Sequence, residues 1–318
     1  MKVIDHISNP QRGGFSLEIL PPLRGKGIKE SFEAIDPLVE YGLSFINVTS
    51  HRNETQYYET DHGNYRRRVV KRRPGTVGIC SAIQSRYKID AVPHLLCGGF
   101  TRVESENLLI DLNFLEIENI MALRGDPVAG ESYFTPEKEG NRYASELVHQ
   151  IAEMNRGNYL ASGCQYHTPT SFCIGVAGYP EKHIESPAME SDLNYLKKKV
   201  EQGAHYIITQ MFFDNTKYLS FVERCREEGI EVPILPGIKP LSTKRQLNNI
   251  PHKFKVDLPN QLVREVERAK TDQQVREIGI EWAVGQCREL LQKGAPLIHF
   301  FSNGKTESIV EILKRGSF

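Results

Sequence analysis

Ionisable side chains recur at one kind of place in this chain, inside or just beyond a short apolar run. Residues 15–20 read Phe-Ser-Leu-Glu-Ile-Leu, with Glu18 among apolar neighbours. A carboxylate there is costly to bury unless it is paired or protonated. The alternative is an exposed sheet edge, where charged groups usually sit. Residues 119–127 read Asn-Ile-Met-Ala-Leu-Arg-Gly-Asp-Pro. They set Arg124 and Asp126 around Gly125, a residue that lets the backbone approach a ligand closely. His94 lies in Ala-Val-Pro-His-Leu-Leu-Cys, where a lone histidine is more often a core residue than a ligand. Thr49, Tyr179, His183, Gln210 and Asn303 follow other apolar runs in the same way. Together these groups offer carboxylates for proton transfer, and amide, phenol and imidazole groups for a polar heterocycle. There is no serine nucleophile motif. Cys164-x-x-His167, with Cys173 beyond, lacks the second ligand pair that a zinc site needs, so no metal is expected.

Eight apolar runs are expected to be strands: 15–20, 43–48, 91–97, 119–123, 172–178, 206–209, 232–235 and 297–301. Segments with helical spacing follow each of them. Among these are 28–41, 102–114, 143–154, 189–202, 217–228, 278–292 and 307–314. Alternating βα units predict a parallel sheet. Eight of them predict a closed (β/α)8 (TIM) barrel in a single domain, with the catalytic face at the strand C-termini. A doubly wound open sheet is the alternative, but Gly-x-Gly-x-x-Gly and Gly-x-x-x-x-Gly-Lys-Ser/Thr are both missing. Pro93 weakens 91–97 as an interior strand. The basic stretch 64–88 is expected to contain helical pieces interrupted at Pro74-Gly75. Its runs at 66–68 and 71–73 read as a solvated helix face rather than a phosphate site. Residues 155–171 read as a long loop.

The bulk properties narrow the classes. Among 318 residues, 40 Lys and Arg balance 40 Asp and Glu, so no global field attracts nucleic acid or an anionic membrane. No apolar run approaches a membrane span. Residues 1–14 are polar and lack the apolar core of a secretion signal. Six scattered cysteines without a Cys-x-x-Cys pair suit free thiols in a reducing cytoplasm.

The ordered motifs resemble the methylenetetrahydrofolate reductase family over nearly the whole chain. They are Leu17-Glu18-Ile19-Leu20-Pro21-Pro22, Asn47-Val48-Thr49, Pro93-His94-Leu95, Ala122-Leu123-Arg124-Gly125-Asp126, Tyr143-Ala144-Ser145 and Gly178-Tyr179-Pro180-Glu181. The series continues through Leu196-Lys197-Lys198-Lys199, Ile208-Thr209-Gln210, Phe213-Asp214, Pro236-Gly237-Ile238 and His299-Phe300. The resemblance implies a barrel oxidoreductase acting on CH–NH groups, with non-covalent FAD. NADH or NADPH would be the hydride donor, and 5,10-methylenetetrahydrofolate would be reduced to 5-methyltetrahydrofolate by ping-pong kinetics for methionine synthesis.

By the same resemblance Glu18 is the general acid, and Asp126 lies between flavin and pterin. The FAD contacts implied are Thr49, His94, Arg124, Gly125, Asp126, Tyr143, Ala144, Tyr179, His183, Asp192, Tyr195, Lys198 and Lys199. Glu18, Asp126, Gln210, Gln246 and Lys305 are implied for substrate. The family often has Asn at Tyr195, Arg at Lys198, an aromatic near Ile250 and Arg near Lys305. Small-molecule substrates and homo-oligomers are expected, without nucleic acid or membrane partners. The chain is expected to be one catalytic domain over 1–318, without the regulatory domain of eukaryotic members and so without control by S-adenosylmethionine.

Overall fold

The computed structural model describes residues 1–8, 14–60, 63–128, 130–161, 166–302 and 304–316; Asn303 and Cys164 lie outside them. The strands are β1 (Phe15–Ile19), β2 (Leu43–Val48), β3 (Glu54–Glu59), β4 (Tyr65–Val70) and β5 (Asp90–Leu96), followed by β6 (Asn119–Leu123), β7 (Cys173–Gly178), β8 (Tyr206–Met211), β9 (Ile234–Ile238) and β10 (Ile298–Phe301). Eight of them form a closed parallel barrel in the order β1-β10-β9-β8-β7-β6-β5-β2. The (β/α)8 expectation is met. Each of the eight expected runs coincides with a barrel strand to within three residues at either end.

Strand residues alternate between two environments, as the pleat requires. Leu17, Ile19, Ile46, Val48, Ile120 and Ala122 point outward into the core shared with the helices. Phe45, Val92, Met121, Cys173, Tyr206, Ile208, Leu235 and Leu297 pack together in a separate cluster inside the barrel. Ser16 and Glu18 alternate with Leu17, so they share the inner face. Closure sets Glu18 opposite Asn47 on one side and Phe301 on the other.

Four features depart from the sequence reading. Residues Val3–Ile7 form a helix that packs Val3, Ile4 and Ile7 onto the inner cluster. It is tied down by Val3 N–H donating to Asn119 Oδ1 at 2.8 Å and by His6 Nε2 against Asp90 Oδ2 at 2.7 Å. Pro93 is an interior residue after all: it pairs with Val48, and the ladder on the other side resumes at His94 with Met121. The β8–β9 register slips between Ile208 and Met211, a bulge at the end of the strand.

The fourth is the basic segment. Residues 65–70 are not helical; β4 pairs antiparallel with β3, from Glu54 with Val70 to Glu59 with Tyr65. Aromatic and β-branched residues (Thr55, Tyr57, Tyr58, Tyr65, Val69, Val70) favour strands. The turn between them carries Gly63 at φ +70°, with Thr60 N–H donating to the Asn64 carbonyl at 2.8 Å. The charge run concealed a hairpin. Helix resumes only at Thr76–Tyr87.

Candidate active site

Glu18 stands at the upper end of the barrel interior. Its backbone is fixed by Ser302, whose Oγ and N–H both donate to the Glu18 carbonyl, at 2.7 and 3.3 Å. Its side chain is 19% exposed and places Oε2 3.7 Å from His94 Nε2. Burial raises the carboxyl from 4.5 to about 7, against the pull of the Lys239 ammonium. The buried reading of Glu18 therefore holds, and the exposed-edge alternative does not.

Its neighbours are arranged to leave that proton in place. Burial, and then His51, hold His94 down to about 3, so its imidazole is neutral near pH 7 and makes no ion pair with Glu18. His299 is also held to about 3 by burial, with His94 adding to the effect. Its Nδ1 lies 2.8 Å from Ser16 Oγ. Lys239, on the loop leaving β9, is lowered to about 8 by burial while Glu18 pulls the other way. Asn47 is fully buried, and neither atom of its amide has a hydrogen-bond partner. A buried amide is costly to leave unpaired, so an unsatisfied one beside an acid marks a place for a polar ligand.

A second group of residues lies beyond β2, β6 and β7. Thr49 Oγ1 meets His51 Nε2 at 3.2 Å. Burial lowers His51, followed by Arg73 and Lys253, while Asp126 opposes them. Asp126 is exposed, immediately after Gly125, whose φ is +87°. Arg124 makes a two-pronged pair with Glu185, at 2.6 and 2.7 Å, and lies 5.0 Å from the Phe134 ring centre. Tyr179 packs edge-on against His183 at 4.7 Å, and burial pushes its phenol well up. Asp192 holds the following loop by accepting from His183 N–H at 3.0 Å and Ser186 Oγ at 2.8 Å. Lys199 donates to the Ala177 carbonyl at 2.5 Å. Burial lowers it to about 8, with Asp192 opposing.

On the flank, a cavity of about 560 Å³ is lined by Arg102, Asn141, Arg142, Ser145 and Lys198, among others. Tyr143, just before Ala144 opens the next helix, is 59% exposed, and Tyr195 is 53% exposed. Lys198 Nζ lies 5.8 Å from the Tyr195 ring centre. Exposed aromatic faces, the Lys198 ammonium and a roomy cavity suit a dinucleotide with a diphosphate.

Other expected residues have local duties. Gln246 Oε1 accepts from Ser242 and Thr243 N–H at 2.6 and 3.0 Å, bracing the turn that leads into its own helix. Gln210 Oε1 accepts from Met211 N–H at 2.9 Å, within the bulge. Ile250 is buried with Met211, Phe213 and Leu241. Lys305 is exposed after β10. The sequence reading missed Lys239, because Pro236-Gly237 ended the expected strand at 235, whereas β9 runs on to Ile238. Counting alternate residues from Leu235 would have placed Lys239 inside. Among the described residues no cluster of three His, Cys, Asp or Glu could hold a metal ion. No helix among them is long and apolar enough to cross a membrane.

A closed parallel barrel whose ionisable groups gather at the strand C-termini is the architecture of a (β/α)8 enzyme. Residues 3–317 match the family model for methylenetetrahydrofolate reductase, and the chain belongs to that family. It is 32% identical to "Methylenetetrahydrofolate reductase (NADH) 1" of Arabidopsis thaliana, over 98% of this chain and 50% of that protein. It is 31% identical to "5,10-methylenetetrahydrofolate reductase" of Salmonella typhimurium, over 92% of this chain and 86% of that one. With "Probable methylenetetrahydrofolate reductase (NADPH)" of Caenorhabditis elegans the identity is 30%, over 98% and 43%. The chain spans about half the length of the eukaryotic relatives it matches. A Clostridium thermocellum protein whose structure binds two copies of 5-methyl-5,6,7,8-tetrahydrofolic acid shares the fold, with a TM-score of 0.57 at 15% identity over 98% of this chain and 96% of that one.

Proposed function

We propose that this chain reduces 5,10-methylenetetrahydrofolate to 5-methyltetrahydrofolate, with bound FAD and NADH or NADPH as hydride donor. Relatives named for this activity support the reading. The observation that carries it is Glu18, a carboxyl inside the barrel that keeps its proton up to about pH 7. Opening the folate's imidazolidine ring to an iminium ion requires a proton on the departing nitrogen. A carboxylic acid poised near neutrality supplies it. Neutral His94, beside it, does not compete for that proton.

Asp126 provides a negative charge at the mouth, suited to the pterin's N–H donors and to the cationic iminium. The unpaired Asn47 amide adds a donor and an acceptor near the acid. Thr49, Tyr179, His183 and the Arg124-Gly125 backbone would position the isoalloxazine, while Lys198, Lys199, Tyr143 and Tyr195 would hold the diphosphate and adenosine. FAD, when bound, supplies the two-electron relay between nicotinamide and folate. Because both substrates use one site in turn, kinetics are ping-pong, and the product is a methyl donor of the kind methionine synthesis consumes.

The test is an anaerobic absorbance titration of the purified protein. Flavin colour bleached by NADH or NADPH and restored by methylenetetrahydrofolate supports the proposal and names the donor. A protein that binds no flavin after reconstitution, or whose reduced flavin the folate leaves bleached, overturns it.

A further inference from the structure

The acid leaves a charge behind. When Glu18 gives up its proton, its O–H bond breaks, an N–H bond forms on the departing nitrogen, and the electron pair stays on the carboxyl oxygen. A bare carboxylate inside a barrel is costly unless an opposite charge or a donor faces it. Two groups beside Glu18 have no partner of their own.

The first is Lys239, which is 7% exposed. Among the described residues its ammonium has no ion pair and no hydrogen bond. The strand register sets its height. Glu18 pairs with Phe301 on β10, and Phe300 pairs with Ile238 on β9. One residue beyond Ile238, Lys239 therefore reaches the level of Phe301 and Glu18. Leu235 faces the interior, and counting alternate residues from it puts Lys239 on the same side. Only β10 separates β1 from β9. Two strand spacings are roughly 10 Å, a gap that a lysine and a glutamate side chain span together. The second group is Asn47, opposite Glu18 on β2, fully buried with an unpaired amide. An ammonium on one side of the acid and an amide on the other are thus both idle while the acid holds its proton. A buried cation without a partner is expensive, and the carboxylate form of Glu18 would repay that cost.

We propose that Lys239 is the counter-cation of the acid: with the Asn47 amide, its ammonium stabilises the carboxylate that Glu18 becomes, and so sets how readily the proton leaves. The inference rests on the folate reading of the same site. Lys239 acts through Glu18 and not on the folate, so it is a positioning residue. The charges around the pair leave it this role. Lys239 pulls Glu18 down against burial, and Glu18 holds Lys239 up against burial and against Lys253, from the helix Gln246–Phe254. His94, on β5, and His299, on β10, are held neutral by burial and add no competing cation.

The experiment compares wild-type holoenzyme with Lys239→Met, Lys239→Gln and Lys239→Arg. The carbonyl stretch of protonated Glu18 is followed across pH by infrared difference spectroscopy, with Glu18→Gln identifying the band. In wild type the band should fade around pH 7. In both neutral variants it should persist to higher pH, and Lys239→Arg should return it toward wild type. Stopped-flow reoxidation of the reduced flavin by methylenetetrahydrofolate gives the second reading. Well below pH 7, where every one of these proteins holds the proton, a less acidic Glu18 should slow the reaction by about threefold to tenfold in the neutral variants. Its alkaline decline should move up with the band. A band that fades at the same pH in the neutral variants overturns the proposal. So does a shift that Lys239→Arg shares in full, or a weakened folate affinity with the band unmoved, which would give the ammonium to the substrate. If no variant and no wild type reoxidises with the folate, the functional reading has failed, and the infrared titration still decides whether Lys239 and Glu18 act as a pair.

Discussion

At the lower end of the barrel interior, Phe45, Val92, Cys173, Tyr206, Leu235 and Leu297 pack against Val3 and Ile7. Two residues further along the same strands, on the same face, Phe45 gives way to Asn47, Val92 to His94 and Leu297 to His299, while Ser16 is followed by Glu18. One step of the pleat separates a closed apolar floor from a layer of polar and titratable groups. The floor gains free energy from burial. The upper layer costs it, because burial strips water from the Glu18 carboxyl, the two imidazoles and the unpaired Asn47 amide. A stable floor lets the upper layer remain unsatisfied until a ligand arrives.

The sharpest way to break this contrast is Glu18→Gln. Folate reduction should fall by about 10³-fold, while FAD stays bound and is still reduced by NAD(P)H. Equal loss of both half-reactions in stopped-flow traces removes Glu18 from the acid role. The opposite lesion, Phe45→Ala, should cost about 3–5 kcal/mol in denaturant unfolding and leave the pH–rate profile unmoved. A shifted profile would show that the floor tunes the acid.

Asp126→Asn should lower folate turnover by about tenfold and make the flavin easier to reduce, as removal of one nearby negative charge implies. An unchanged potential argues against that electrostatic role. The pH dependence should also localise to the upper layer. Folate reduction should decline as pH rises through about 7, where Glu18 loses its proton. Folded Glu18 holds its proton more tightly than the unfolded chain does. Its contribution is therefore complete below about 4.5 and is lost as pH climbs through about 7. His94 and His299 act in the other direction. Their contribution is present above about 6.5 and is lost as pH falls toward about 3. Glu18→Gln should remove the alkaline component alone in melts across pH. The smallest effect belongs to Tyr206→Phe. Its buried hydroxyl has no hydrogen-bond partner, so removal should change stability by less than about 1 kcal/mol. A larger loss would reveal a bound water or a hidden partner.

The strand series was legible because parallel barrel strands are continuous apolar runs ending at turns. Glu18 was legible because a carboxylate inside such a run needs a reason. Less visible was anything set by a distant partner. Arg124 is gripped by Glu185, 61 positions away, and no local spacing reveals that. The Gln246 side chain braces the turn before its own helix, a contact no local spacing reveals either. The helix at Val3–Ile7 is short and mixed in character, and only its packing against the barrel floor explains it. The hairpin was hidden by its own arginines, whose charge outweighed the aromatic and β-branched residues beside them.

The Ser302 hydroxyl that fixes the Glu18 carbonyl comes from 284 positions further along the chain. During synthesis β1 emerges early, but its second edge has no partner until β10 appears. Glu18 is therefore positioned by one of the most non-local contacts of the barrel, and such contacts form slowly because loop closure comes first. A compact intermediate with seven strands docked would have much of its secondary structure while the Glu18 carbonyl still lacked its Ser302 donors. Refolding followed by circular dichroism should thus run ahead of recovered activity, with the interval measuring the time taken to shut the ring.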